Sequence, residues 1–377
     1  METLDRTSGE AAPAPAAPPT PSPSSRAARG VWWFLRFLFA LFLFVGALQV
    51  MKTGAGNLGA LQHGGLLVKN AGSTFGLGWL GALLVLSGSP IAASALSLVA
   101  AGNVDRIEGF TMVTGSRLGA AFVVLMVAVI YALRGGEGFR RKPVSTAVMA
   151  LSTTALIYIP GALIAFALLQ WGPFRRLDLQ FPGQFSDLVD VVYGPILSRI
   201  ETLPAWVLFL GGLAILLLAF KVIDSVVPEV SQEKIEHSRM SWLRSKWPMF
   251  ALGCLVALIA MSVSVALTVL VPMVTKGYVK REDMLPYIMG ANITTLGDTL
   301  LAAFLLGSAA AVQIVLAGII GTTIVSLIVL SFFYLPVRKA IFKFQRQVVK
   351  SKPRLAMFTA ALFAIPISVI LASGLLG

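Results

Sequence analysis

The sequence predicts an all-α polytopic membrane protein made of two inverted repeats, each with a re-entrant hairpin and a broken helix. Three observations lead to this fold class. Hydrophobic residues make up 57% of the chain and charged residues 12%, with a mean hydropathy of +0.84, whereas a soluble domain carries about 25% charged residues. Several runs reach the roughly 20 apolar residues needed to cross a bilayer. One stretch also occurs twice, at a shift of 175 residues: Ser87-Gly88-Ser89 falls on Ser262-Val263-Ser264, and Gly102-Asn103-Val104-Asp105-Arg106 on Gly277-Tyr278-Val279-Lys280-Arg281. At the same shift Glu108 falls on Asp283, and Gly115-Ser116-Arg117-Leu118 on Gly290-Ala291-Asn292-Ile293. Duplication inside an apolar chain marks architectures with two related halves around a central site.

Residues 1–30 are rich in Ala, Pro and Ser and read as a disordered cytoplasmic tail. The apolar run that follows is too long for a signal peptide, so 31–51 reads as a retained first span. Residues 31–171 form the first inverted repeat, 172–204 an extracytoplasmic linker, and 205–336 the second inverted repeat. Residues 337–377 hold a basic cytoplasmic segment and the last transmembrane helix. Clear spans fall near 31–51, 145–171, 205–226, 313–336 and 355–376. The blocks 75–133 and 249–306 are apolar but broken by Gly, Pro and Ser, and they hold the duplicated elements.

Basic loops orient the chain, because cytoplasmic loops are enriched in Lys and Arg. With the N-terminus cytoplasmic, the basic stretches 134–142, 227–248 and 338–354 all fall inside. Each broken block then makes a net odd number of crossings. Repeat one begins outside and repeat two inside, so the halves are inverted, an arrangement that suits alternating access to a midplane site. The expected location is the plasma (inner) membrane.

The run Ser87-Gly88-Ser89-Pro90 interrupts a helix at membrane depth, where broken backbone is tolerated only against protein or a water-filled cavity. Pro90 removes a backbone donor and clashes with the preceding turn. Ser87 and Ser89, with Ser262, Ser264 and Thr268 in the second half, can present hydroxyls and free backbone groups to a solute. A helix N-terminus after such a break favours an anion, and loose carbonyls favour a cation. The same small residues also permit close helix packing. The second motif, Gly290-Ala291-Asn292-Ile293-Thr294-Thr295 followed by Gly297-Asp298-Thr299, is dense in polar groups for an apolar setting. Arg117 and Asp298 are intramembrane charges, which are expensive and usually functional. They either pair across the two halves or leave Arg117 free to bind an anion.

These residues resemble the type II sodium/phosphate cotransporter family, whose hallmark is two inverted repeats. Each repeat of that family has a glutamine followed by serines in a re-entrant hairpin, then a Gly-Ala-Asn-Ile-Gly-Thr-Thr motif. Ser87 lies 28 residues before Gly115, and Ser262 lies 28 before Gly290. Gly290-Ala291-Asn292-Ile293 matches the second motif, with Thr294 in place of its glycine and Thr295 as a threonine. Arg117 stands at the asparagine position of the first. Leu86 and Met261 stand where the family has its glutamines. The resemblance implies a secondary active transporter, a symporter of phosphate or another small inorganic anion, with sodium as the coupling ion. With the intramembrane polar residues read above, the expected substrate-binding residues are Ser87, Ser89, Ser262, Ser264, Arg117 and Thr268, and the expected ion-binding residues Asn292, Thr294, Thr295 and Asp298. The alternative is a membrane scaffold or sensor that kept the fold and lost ion coupling.

Other classes fit poorly. The net charge of +13 follows from the basic cytoplasmic loops, so no nucleic-acid partner is expected. The lone Cys254 excludes an internal disulfide and a cysteine metal cluster. His63 and His237 are far apart, so no metal beyond a sodium ion is expected, and no cofactor. No Ser–His pair or di-carboxylate constellation is evident, so the protein is not expected to be an enzyme. The expected partners are the anion and the lipid bilayer, with a homodimer possible. Asp187, Leu188, Asp190 and Val191 suggest an amphipathic surface helix. The stretch 338–354 interleaves Phe342 and Phe344 with Lys343 and Arg346, a pattern suited to anionic lipid headgroups.

Overall fold

A computed structural model describes residues 23–56, 70–134, 141–172, 174, 183–226, 245–260, 266–267, 271, 274 and 279–375, without the side chains of 23–30, 131, 134, 141, 183–188 and 224. Among the described residues every regular element is helical, and seven helical segments are long and apolar enough to cross a membrane. They carry exposed Leu163, Trp206, Leu218 and Met357, a surface suited to lipid rather than water. The chain is a multi-pass, all-α membrane protein.

The first half opens with α1 (Pro23–Gly56), α2 (Ala71–Val85), α3 (Ser89–Ala100), α4 (Arg106–Ala120), α5 (Phe122–Arg134) and α6 (Arg141–Gln170). Helices α2 and α3 have 15 and 12 residues, about 22 and 18 Å at 1.5 Å per residue, too short for a core of about 30 Å. They are separated at Leu86, whose φ of 58° ends α2 in the left-handed region, and Pro90 sits in the first turn of α3. Asn70 caps α2, accepting from the amides of Gly72 and Ser73 at 3.1 and 3.0 Å. Asp105 and Glu108 form a capping box on α4. α2 and α4 run parallel: Thr74 bonds Thr111 at 2.8 Å, while Gly115 and Gly119 lie against the backbone of Phe75 and Trp79. α3 returns alongside α4, so the hairpin tip lies beside Ser116 and Ala120, where a side chain on Gly88 would clash. α5 then continues the direction of α4.

The second half contains α8 (Ala205–Val226), α9 (Lys246–Ala260), a 3₁₀ turn (Arg281–Asp283), α10 (Met284–Thr294), α11 (Leu296–Leu305) and α12 (Ala309–Ile328). A wide π-type turn (Val329–Phe333) joins α12 to α13 (Tyr334–Val349), and α14 (Lys352–Leu375) ends the described chain. The pair α9/α10 repeats the packing of α2/α4 residue for residue. A Cβ on Gly78 would fall 2.1 Å from the Met112 carbonyl oxygen, and one on Gly253 2.0 Å from that of Tyr287. A Cβ on Gly115 would fall 2.1 Å from the Phe75 carbonyl oxygen, and one on Gly290 2.1 Å from that of Phe250. All four partners correspond at the shift of 175. Such contacts hold membrane helices together, because lipid supplies no hydrophobic drive between them and close backbone approach must substitute.

Two polar clusters mark the ends of the bundle. At one end Arg106 donates to Gln313 and to the Leu169 carbonyl at 3.0 and 3.1 Å, and Lys52 reaches the Leu306 carbonyl at 3.1 Å. At the other, Tyr334 donates to the Glu282 carbonyl at 2.9 Å and Lys246 to that of Leu330 at 2.6 Å. Between the halves lies α7 (Gly183–Ile200). It does not lie over the bundle end as a surface helix would. Tyr193 donates to the carbonyl of Phe42, in the middle of α1, at 2.8 Å and stacks on its ring, so α7 runs along the flank of α1.

Candidate functional site

Arg117 sits on α4 one turn from the hairpin tip and is 2% exposed. A guanidinium so deeply buried requires compensation. Asp298 of α11, 3% exposed, supplies it, with Oδ1 3.6 Å from Arg117 Nη2. The same Nη2 contacts the Thr299 hydroxyl, which donates to Asp298 Oδ1 at 2.8 Å. Arg117 Nη1 makes long contacts to Ser89 Oγ at 3.5 Å and to the Thr295 carbonyl at 3.4 Å. One cluster thus joins the start of α3, the end of α4 and the α10–α11 junction, which come from both halves of the sequence.

A second polar layer adjoins it. Tyr158 of α6 donates to the Asn292 carbonyl at 2.6 Å, Asn292 Nδ2 donates to Thr154 Oγ1 at 3.0 Å, and Thr295 Oγ1 donates to the Asn292 carbonyl at 3.1 Å. Arg117 and Asn292 occupy equivalent repeat positions, and Thr295 links them. The layer is incompletely satisfied: Arg117 Nε, Asp298 Oδ2 and Asn292 Oδ1 are buried without a hydrogen-bond partner. Beside Arg117 and Tyr158 lies a cavity of about 20 Å³, closed by Leu296, Ile314, Val315 and Gly318. It holds about one water and is too small for an oxyanion. No protein-family model, curated protein or solved structure matches the chain.

The expected site residues divide into three groups. Ser89, Arg117, Asn292, Thr295 and Asp298 come together. Arg117 and Asp298 pair with each other, so of the two roles open to Arg117 the free anion receptor is not the one present. Ser87 is half-buried at the hairpin tip, outside this network. Thr294 faces away from the cluster. It donates to the Cys254 carbonyl at 2.9 Å, at the place where Gly119 meets Trp79 in the first half. Its hydroxyl thus ties α10 to α9 as a packing contact. Ser262, Ser264 and Thr268 lie outside the described residues. Among the described residues no group of three or more His, Cys, Asp or Glu could hold a metal.

Thr154 and Tyr158 escaped the sequence reading, and Thr299, part of the second motif, was given no role there. Thr154 and Tyr158 are four residues apart, so they share one face of a predominantly apolar span. That polar i, i+4 pair is the signal that marks them.

Proposed function

We propose that the protein is a secondary active transporter, a symporter of a small inorganic anion such as phosphate with a cation such as sodium. It works by alternating access between two inverted halves. The observation that carries this reading is the Arg117–Asp298 pair where the two halves meet. Separating a buried pair leaves two uncompensated charges, at a cost of several kcal/mol each. An anion that takes Arg117 therefore requires a cation to take Asp298, and the two solutes enter together. The pair stands in for its own cargo when the site is closed, which accounts for a cavity no larger than one water. The orphaned Arg117 Nε and Asp298 Oδ2 are the atoms ready for that exchange, with Ser89, Thr295 and Asn292 as neutral ligands.

Further support comes from the duplicated packing. Arg106, which opens α4, lies at Gln313 near the start of α12. Its counterpart Arg281 adjoins Glu282, which lies at Tyr334 and Arg338 beyond the far end of α12. Equivalent elements at opposite ends of one long helix are what inverted repeats require. The hairpin α2–α3 enters and returns from one end, as a re-entrant element does.

Phosphate uptake into proteoliposomes, with and without an inward sodium gradient, tests the proposal. Gradient-dependent uptake that is lost in the variant combining Arg117→Met with Asp298→Asn supports it. A well-folded preparation that takes up no anion favours the scaffold reading, in which the pair only fastens the halves together.

A further inference from the structure

We propose that the α13–α14 corner is a binding site for an anionic glycerophospholipid, with the headgroup in a basic groove and an acyl chain in an adjoining apolar slot. This inference is independent of the transport reading, since it requires only that the chain span a membrane.

The position of α13 comes first. The helical run Ala309–Val349 has 41 residues, about 61 Å, twice the hydrocarbon thickness of about 30 Å. α12 alone, with 20 residues, crosses that thickness. α12 starts at the end of the bundle where Gln313 meets Arg106 and runs to the other end. α14 runs back, and its Ser373 carbonyl accepts from Asn70 at 2.9 Å. Asn70 opens α2, which is parallel to α4, so Ser373 and Arg106 share one end. Tyr334 and Lys352, the limits of α13 and its turn, therefore share the opposite end. A helix that begins and finishes at one membrane face lies along that face. Its buried residues, Ile341, Gln345, Val348 and Val349, turn toward the bundle.

The remaining faces supply two cavities. A groove of about 410 Å³ is lined by Arg338, Lys339, Phe342, Lys343, Arg346 and Gln347, with Glu282 at its edge. Glu282 is held 3.5 Å from Arg338. Lys339, Lys343 and Arg346 have no acidic partner among the described residues. The second cavity, about 480 Å³, lies between α13 and α14 and is walled by Phe344, Val348, Met357, Phe358 and Ala361, with Arg354 at its rim. Phe344 and Phe358 meet edge to face there, with centroids 6.0 Å apart. Gln347 lines both cavities. Three uncompensated cations attract a phosphate-bearing headgroup. The apolar slot beside them has no use for a free inorganic ion, but it accommodates the first methylenes of a chain whose headgroup occupies the groove. Met357 is 70% exposed at that slot, a position that lipid covers.

The test uses the full-length protein in detergent, stripped of lipid. Thermal unfolding is followed as dioleoylphosphatidylglycerol or dioleoylphosphatidylcholine is added back, with glycerol 3-phosphate and inorganic phosphate as soluble controls. Phosphatidylglycerol is expected to stabilise the protein at far lower concentration than phosphatidylcholine, and the soluble anions are expected to give no shift. Combining Lys339→Gln, Lys343→Gln and Arg346→Gln should weaken the phosphatidylglycerol effect about a hundred-fold, at roughly a factor of five per lost cation. Ala361→Trp, which fills the apolar slot, should weaken it with the cations intact. Equal stabilisation by both lipids overturns the proposal, as does an unchanged response in the triple glutamine variant. Full competition by glycerol 3-phosphate or phosphate would assign the groove to a soluble anion and overturn the lipid assignment. Native mass spectrometry of lipid retained by each variant gives a readout that does not depend on its stability.

Discussion

Replacing Asp298 by asparagine should be among the most damaging single changes to this protein, and removing Arg117 as well should largely repair it. At 3.6 Å and an effective dielectric of about 20, the attraction between the two charges is about 5 kcal/mol. The asparagine side chain would preserve shape and still accept from Thr299, but it would leave a buried guanidinium without a counter-charge. Breaking a buried pair from one side typically costs about 3–5 kcal/mol, whereas replacing both partners is often neutral or stabilising. We therefore expect Asp298→Asn to lower the unfolding free energy by about 3–5 kcal/mol, and Arg117→Met added to it to recover most of that loss. Unfolding in mixed micelles at rising SDS fraction, followed by helical circular dichroism, measures all four corners of the cycle. Losses that simply add, or a single-variant loss below about 1 kcal/mol, would refute the claim that this pair is charged, buried and mutually compensating.

Other expectations follow from the packing. Gly78→Ala and Gly253→Ala each drive a methyl group into a carbonyl oxygen at about 2 Å, and each should cost about 1–3 kcal/mol or more. Gly211→Ala, with nothing within 4 Å, should be neutral or slightly stabilising in the same assay. Tyr158→Phe removes the 2.6 Å bond to the Asn292 carbonyl while Thr295 still serves that oxygen. Its stability loss should stay near about 1 kcal/mol, while phosphate uptake, measured in parallel, should fall. Asn70→Ala deletes a helix cap and the tie to Ser373 and should cost about 1–2 kcal/mol. Hydrogen exchange should localise its effect to the start of α2.

Much of the fold is legible in the chain because lipid demands long apolar runs, and these stand out at any window. The helix at Ala205–Val226 has the bounds of its apolar run. The break at Ser87–Pro90 is readable because a Ser-Gly-Ser-Pro run ends one helix and a proline suits the first turn of the next. The apolar run at 313–336 is less readable. Its helix continues through a π-type turn to Val349, since amphipathic α13 finds a packing surface on the bundle that hydropathy does not register. The helix read from Asp187, Leu188, Asp190 and Val191 as a surface helix likewise gains a partner, the flank of α1, where Tyr193 donates to the Phe42 carbonyl. At the site, the charges Arg117 and Asp298 are conspicuous because each is rare in an apolar setting. Motif matching alone groups Thr294 with the ligands. The repeat register sets it opposite Gly119, and that points to packing. Tyr158 and Thr154 stay hidden because two polar groups barely change the hydropathy of a long span.

The central claim is that the halves are inverted about the Arg117–Asp298 cluster, so equivalent residues must face opposite sides of the membrane. Asp105 and Lys280 correspond at the shift of 175, and both are exposed. In a Cys254→Ser background, Asp105→Cys and Lys280→Cys can be labelled with a membrane-impermeant maleimide in sealed vesicles of known orientation. The account predicts that one is labelled only from outside and the other only from inside. Labelling of both from the same side would contradict it.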